Sequence, residues 1–298
     1  MIWAAGIDLG GTQLKAVAVT PAGEVLERAL LPTADRVAKV DDWVAAMRDL
    51  IGRFSATRGA PAAVGLCAPG IVAPDGVSIA CCPGKLAGLE GFSWATALGR
   101  SASVPMLNDT HAALVAEAWL GAARGRRHAV MLTLGTGVGG AILIDGKPWR
   151  GAIGRAGHFG HATVDLDGAP TITGMPGGIE VMIGECTVRE RTRGRYPTTE
   201  ALVAAQGAGD VEATQLWQRS VYALACAIAS AINIVDPEVI VIGGGIAQAG
   251  EALFTPLAAA LERVEWRPGG HRVPIVPATL GEWAGALGAA RNAFHDLC

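Results

Sequence analysis

Apolar and polar positions along the 298-residue chain predict two similar series of strands and helices. "WAAGIDLGG" reads as a buried strand entering a glycine turn. "QLKAVAVT" reads as the next strand, and "PAGEVLE" as a turn into a third. Strands joined by tight turns are antiparallel neighbours. From Asp41, "DDWVAAMRDLIGRF" places Val44, Met47, Leu50, Ile51 and Phe54 on one helical face. "AAVGLCAPG" is a short buried strand running into a Pro-Gly loop. A long glycine-rich loop, a helix near "SWATALGR" and a strand "VPMLN" ending at Asn108 follow. "DTHAALVAEAWLGAA" is then a helix with Leu114, Val115, Ala118 and Trp119 turned inward.

The pattern restarts near residue 130: "AVMLTL" is a strand, "GTGVGG" a turn, and "AILIDGKPW" a second strand with an Asp-Gly turn. Two long helical segments, a strand "EVIVIGGG" and a helical tail "AGALGAARNAFHDL" complete the series. The repeated strand, glycine turn, strand opening predicts two similar α/β halves with a cleft between them. We place the border at Asn108/Asp109. The expected domains are residues 1–108 and 109–283, with a C-terminal helix of about 284–298 packing back on the first.

Composition narrows the function. A formal charge of −3 and 5% aromatic residues argue against nucleic acid or an anionic membrane as the partner. Six cysteines (Cys67, Cys81, Cys82, Cys186, Cys226 and Cys298) include no C-x-x-C pair, so reduced and mostly buried thiols in a cytoplasmic protein are expected. The N-terminus lacks the basic region and apolar run of a signal peptide. The most apolar long segment, Val221 to Val235, reads as too short to span a bilayer.

Three glycine turns follow strands. In "GIDLGGTQLKAVAV", Gly10, Gly11 and Thr12 can offer N–H and hydroxyl donors to phosphate oxygens, and Asp8 can hold a hydrated Mg²⁺. An ordinary hairpin turn explains the same residues. "LTLGTGVGGAILIDG" satisfies G-x-G-x-x-G through Gly135, Gly137 and Gly140. The dinucleotide fingerprint, however, needs a helix next, and a strand follows. Neither Gly-Lys pair, at Gly84 or Gly146, continues into Ser or Thr as a Walker A would. "VIVIGGGIAQAGEALF" is a strand, three glycines and a helix: a tight connection, or a flat surface for a base and ribose. In "GRAGHFGHATVDLDG", His158 and His161 read as a metal pair, a substrate clamp, or two loop histidines without chemistry.

Together these turns resemble the actin/hexokinase-like ATPase fold, and more closely the ROK family of sugar kinases and related repressors. "GIDLGGT", "PGIV", "LNDTHAALVAE", "TLGTGVGGAILIDGK", "GRAGHFGH" and "INIVDPEVIVIGGGI" stand in that family's order and spacing, over nearly the whole chain. The resemblance implies two ribonuclease-H-like α/β domains with a central cleft, and an ATP-dependent sugar kinase acting on a hexose-like 6-hydroxyl with Mg²⁺. It implies ATP phosphates at Asp8, Gly10, Gly11, Thr12, Lys15, Thr136 and Gly137, and adenosine near Gly244 and Gly245. The general base falls on Asp109, for which a helix N-cap is the structural alternative. Sugar contacts fall on Gly70, Lys85, Asn108, His158, His161 and Glu180.

Two departures stand out. His158 replaces the family's Glu, and Lys85 stands where the family usually has Asn. The family's zinc cysteines fall on Thr171, Thr173 and Gly178, so His161 lacks partners for the four ligands of a structural site and no zinc is expected. A sugar-responsive repressor, or a sugar-binding protein without turnover, is the alternative. The phosphate motif begins at Gly6, leaving no room for a preceding DNA-binding module. The identity of the sugar, polyphosphate as donor and a homodimer remain open at this stage.

Overall fold

A computed structural model describes residues 1–295; Cys298 and the last residues of the expected C-terminal helix lie outside them. The chain forms two compact units. Unit 1 comprises residues 1–125, 146–156 and 279 onward; unit 2 comprises residues 126–145 and 157–278.

In unit 1, β1 (Ala4–Leu9), β2 (Gln13–Val19) and β3 (Val25–Pro32) form an antiparallel meander. Parallel β4 (Ala63–Ala68) joins β1. A small hairpin of β5 (Ile71–Val72) and β6 (Ile79–Cys81) intervenes before β7 (Met106–Asn108), which joins β4. The sheet order is β3-β2-β1-β4-β7. Helix α1 (Val40–Ser55) buries Val44, Met47, Leu50 and Phe54, as its periodicity predicts. Ile51 stays half-exposed and Trp43 is buried instead. Its indole N–H donates to Thr33 O at 2.8 Å, which satisfies the ring's polar edge inside. α2 (Trp94–Ala97) is a single turn.

Helix α3 (Asp109–Leu120) departs from expectation. Leu114 and Val115 are buried, but so are Thr110, His111, Ala112, Ala113, Ala116 and Glu117, while Ala118 and Trp119 are only half-buried. The reason is the last helix, α9 (Ala284–His295), which packs on α3 as well as on β1 and β4. The approach is close: a Cβ on Gly6 would collide with the Ala286 carbonyl, and one on Gly65 with the Ala289 carbonyl. The compact units therefore divide after Gly125, not at Asn108/Asp109, because α3 is covered by elements of unit 1.

In unit 2, β8 (Ala129–Leu134) and β9 (Val138–Ile144) pair antiparallel. The short β10 (Lys147–Pro148), in the 146–156 segment counted with unit 1, follows the Asp145–Gly146 turn. β9 begins at Val138, so Gly139 and Gly140 lie inside the strand and only Gly135–Gly137 form the turn. Next come α4 (Ile179–Ile183), α5 (Val188–Arg191), α6 (Thr199–Gly207) and α7 (Val211–Val235). Then come β11 (Val239–Gly243), α8 (Glu251–Val264) and β12 (Ile275–Pro277). β8, β11 and β12 are parallel neighbours. Both units thus place an antiparallel hairpin beside parallel strands, the ribonuclease-H-like arrangement expected of each half.

Helix α7 has 25 residues, longer than the expected apolar segment. Among the described residues it is the one helix long and apolar enough to cross a membrane. Its Trp217, Leu224 and Ile228 are fully buried in unit 2, where its apolarity serves packing. Of the five described cysteines, Cys67 and Cys82 are buried, Cys226 is half-buried, and Cys81 and Cys186 are exposed. Cys81 ends the short strand β6 and Cys186 lies in the 3-10 turn Glu185–Thr187, two surface positions that composition alone would have placed inside.

Candidate active site

In unit 1 the β1–β2 turn is held from below. Gly10 N donates to Gln13 O at 3.0 Å, and Thr33 N donates to Thr12 O at 2.9 Å. The buried Thr33 hydroxyl donates to Gly10 O at 2.6 Å. The turn's carbonyls are thereby engaged and the Thr12 side chain is left exposed. Thr33 carries no motif, and its role arises only because β3 returns alongside β2.

Strand register assembles charge beside this turn. Asp8 on β1 lies opposite Lys15 on β2 and Cys67 on β4. Burial, then the Asp109 charge, pushes the Asp8 carboxyl up to about 6, against the lowering pull of Lys15 and a hydrogen bond from Cys67. Burial likewise pushes the Cys67 thiol well above its ordinary range, with Asp8 and Asp109 adding to the effect. Lys15 Nζ lies 3.6 Å from Glu282 Oε2, an ion pair not visible in any local motif.

The helix cap falls on Asn108, not on Asp109. Asn108 Oδ1 accepts from Thr110 N at 3.0 Å and from His111 N at 3.4 Å, and Nδ2 donates to Gly70 O at 3.1 Å. Asn108 is buried, so one amide hydrogen is its remaining donor. Asp109 is the first residue of α3 and is exposed, with Oδ1 accepting from Thr110 N at 2.8 Å. Lys85 is exposed and lines a hollow of about 610 Å³ with Arg36, Cys82 and Glu90. The structure thus groups Asp8, Lys15 and Asp109 electrostatically, ties Gly70 to Asn108, and places Lys85 on the Cys82–Glu90 loop, whose Cys82 lies close to Gly70 and feels both Lys85 and Asp109.

In unit 2 the β8–β9 turn is clamped by the segment after α4. Glu185 N donates to Gly135 O at 2.9 Å and Cys186 N to Thr136 O at 2.8 Å. Glu180 Oε2 accepts from Val138 N at 3.0 Å. A Cβ on Gly137 would meet that carboxylate, so any larger residue there would have to push Glu180 aside. Glu180 is half-buried and one carboxylate oxygen already serves the turn. A hollow of about 660 Å³ opens beside the turn, lined by Gly135, Thr136, Gly245, Gln248, Glu185 and the first turns of α6 from Thr198 to Ala204. It brings Thr136 and Gly245 together. Gly244 is exposed and outside that lining, and a Cβ on it would collide with the Leu134 carbonyl. Glu185, Thr198 to Glu200 and Gln248 were missed. The one signal was the Thr198 cap ahead of the apolar α6, whose hydroxyl accepts from Ala201 N.

His158 and His161 bracket a short 3-10 turn over Phe159–His161. His161 Nδ1 and Thr163 Oγ1 are buried and unpartnered. At the expected zinc positions, Thr171 and Thr173 hydrogen-bond each other through their hydroxyls at 2.9 Å, and a Cβ on Gly178 would collide with Thr171 Cγ2. Among the described residues no three His, Cys, Asp or Glu side chains gather as a metal would require. Hydroxyls and one imidazole are a poor donor set for Zn²⁺, so a structural zinc does not fit this loop.

The ROK family profile matches residues 4–294. The chain is 31% identical to a glucokinase of Halalkalibacterium halodurans, covering 96% of this chain and 93% of that one. It is 31% identical to an N-acetylmannosamine kinase of Escherichia coli O157:H7, covering 95% and 96%. Among solved structures it is similar to a ROK hexokinase from Thermus thermophilus, with TM-score 0.88, 30% identity and 99% of each chain covered. It is also similar to a ROK glucokinase from Streptomyces griseus in complex with glucose and AMPPNP, with TM-score 0.77, 25% identity and 98% and 99% covered. With its paired strand-and-glycine-turn units and a match spanning almost its full length, the chain belongs to the ROK family and has the actin/hexokinase ATPase fold.

Proposed function

We propose that this carbohydrate kinase transfers the γ-phosphoryl group of ATP to the 6-hydroxyl of a hexose-like sugar, with Asp109 as general base. The observation that carries the reading is Asp109 itself. It is an exposed carboxylate on the first residue of α3, electrostatically coupled to Asp8 and aligned with the base of the family's Asn-Asp pair. Such a carboxylate can take the proton of the attacking hydroxyl as the phosphoryl group transfers in line. The relatives named glucokinase and N-acetylmannosamine kinase support a hexose-type acceptor. The AMPPNP complex of the Streptomyces griseus enzyme supports ATP as donor.

In this reading unit 1 carries the base and one phosphate turn, with Asp8, Gly10, Gly11, Thr12 and Lys15. Unit 2 carries the second phosphate turn, Thr136 and Gly137, and the nucleoside hollow beside Gly244 and Gly245. Asp8 suits Mg²⁺: it is a hard carboxylate held in a site where its own charge lacks full compensation, as its raised pKa attests. Bound there through water, Mg²⁺ would neutralise phosphate charge. Asn108, Gly70, His158, His161, Glu180 and Lys85 are the proposed sugar contacts, with Glu180 Oε1 the oxygen not used on the turn. The reaction is proposed to take place in the cytoplasm.

The test is ADP release with Mg²⁺–ATP, without sugar and with glucose, mannose, N-acetylmannosamine and N-acetylglucosamine, and with product position read by ³¹P–¹H correlation. The expected result is sugar-dependent ADP release and phosphate on O6. Sugar-independent release, no turnover with any hexose, or phosphate on O1 would refute the reading.

A further inference from the structure

We infer that Arg191 is a positioning residue for nucleotide binding: its half-buried guanidinium holds two walls of the unit 2 hollow and lends them a positive charge. The inference rests on the reading of that hollow as the nucleotide site.

Arg191 ends α5, in the charged string "VRERTRGR" that by sequence looks like a solvated surface. Its side chain instead runs inward. Nη1 donates to Gly184 O at 2.5 Å and to the Thr187 hydroxyl at 2.9 Å. Nη2 reaches Ile183 O at 3.4 Å and the Thr199 hydroxyl at 3.5 Å. One wall is therefore the Ile183–Thr187 turn, the same turn whose Glu185 and Cys186 amides hold the Gly135 and Thr136 carbonyls. The other wall is the first turn of α6, where Glu185 Oε2 also accepts from Thr199 N at 2.9 Å. Arg191 and Glu185 thus together tie the phosphate turn's clamp to α6, Arg191 bonding groups on both walls.

The charge is unusual as well. No ion pair ties Arg191 to a carboxylate among the described residues; Glu185, and after it Cys186, act on its charge at longer range. Its Nε is buried without a partner. Burial pushes its pKa down to about 10, so it is still cationic at neutral pH. A half-buried cation without a close ion pair is costly unless something anionic offsets it further. Behind a phosphate turn, the anion that fits is the nucleotide's phosphate chain. A purely structural anchor would affect all ligands alike. A charged one matters more as the ligand gains phosphates.

The experiment compares the full-length wild type with Arg191→Gln and Arg191→Lys. It measures KM for ATP and for the sugar, and calorimetric affinity for adenosine, ADP and AMPPNP. For Arg191→Gln we expect KM for ATP to rise about tenfold or more, the worth of one charge-assisted bond, with KM for the sugar within twofold. The affinity loss should grow from adenosine to AMPPNP, and Arg191→Lys should recover part of it. Equal losses for adenosine and AMPPNP, parallel rises in both KM values, or unchanged kinetics would overturn the inference. Should Arg191→Gln not fold, hydrogen exchange on the wild type decides: AMPPNP must slow the Glu185, Cys186 and Thr199 amides, and no slowing refutes the role. Wild type that binds no nucleotide at all would sink the functional reading instead, which keeps the two failures apart.

Discussion

Glu117 offers the sharpest test of how unit 1 is held together. It sits in α3, fully buried, and its carboxylate takes four donors. Oε1 accepts from Thr279 N at 2.8 Å and Leu280 N at 2.9 Å. Oε2 accepts from Ala122 N at 2.7 Å and the Thr279 hydroxyl at 3.0 Å. These bonds pin the segment that leads into Glu282 and α9. Glu117→Gln keeps the shape but turns one acceptor into an NH₂ group. In the better amide orientation the Thr279 hydroxyl can rotate to accept, and the Ala122 N–H is left facing another donor. An orphaned buried donor costs about 1–3 kcal/mol, and the remaining bonds lose their charge assistance, roughly 0.5–1 kcal/mol together. Relief from burying a charge offsets part of this, leaving about 2–3 kcal/mol. For a unit of this size that lowers Tm by about 4–12 °C. Glu117→Ala strands three backbone N–H groups and opens a cavity, so it should cost more, about 3–5 kcal/mol. Thermal and urea unfolding of the nucleotide-free protein, followed by circular dichroism, measure both. A Glu117→Gln loss under about 0.5 kcal/mol, or an alanine variant more stable than the glutamine one, would show that this carboxylate network does not anchor α9.

The remaining predictions concern chemistry. Asp109→Asn should lower kcat by about 10²–10⁴-fold, the usual worth of a general base, while ATP and sugar still bind; near wild-type turnover removes Asp109 from the mechanism. Asp8→Asn should abolish turnover yet stabilise the nucleotide-free fold. Because the folded-state pKa of Asp8 is raised from 3.8 to about 6, its penalty is absent below both values and complete above about pH 6. The stabilisation should therefore emerge as pH rises from about 4 to 6 and level off at about 2–3 kcal/mol; a pH-independent difference would contradict the assignment. Metal analysis of untagged protein should find no stoichiometric zinc, since Thr171 and Thr173 bond each other where the family carries cysteines; one zinc per chain, lost with activity in chelator, would overturn this.

Local pattern carried much of the fold. Short, nearly continuous apolar runs in "AAGIDL" and "AVMLTL" and the 3.6-residue face of α1 are properties of short windows, and each appears as an element at its predicted place. Glycine turns were legible for the same reason: a strand that must reverse in two or three residues announces it in its composition. The proposed base, Asp109, was read from the family resemblance of the Asn-Asp pair; that Asn108, not Asp109, caps the helix came from the structure. Asn108 takes the cap because its amide can also reach Gly70 O, a partner brought in by the parallel β4–β7 pairing.

What tertiary structure alone decided are the polar groups whose partners lie far along the chain. Glu117 reads as an ordinary helical carboxylate until Thr279, 162 positions on, arrives with α9. Arg191 reads as a surface cation until α6 folds over it. Thr33 and Glu282 acquire their roles only when β3 and the start of α9 return beside the first turn. Ala118 and Trp119 looked inward by periodicity but are only half-buried; Trp119 meets α9 edge-on at Phe294, 6.4 Å away between ring centroids, while α9 covers the Ala112–Ala116 side of the same helix. The physical reason is common to all of them. Sequence periodicity encodes which face of an element is apolar, because that depends on backbone geometry within a few residues. The partner that satisfies a buried charge is set by how strands order and helices cross, and that information is distributed over the whole chain.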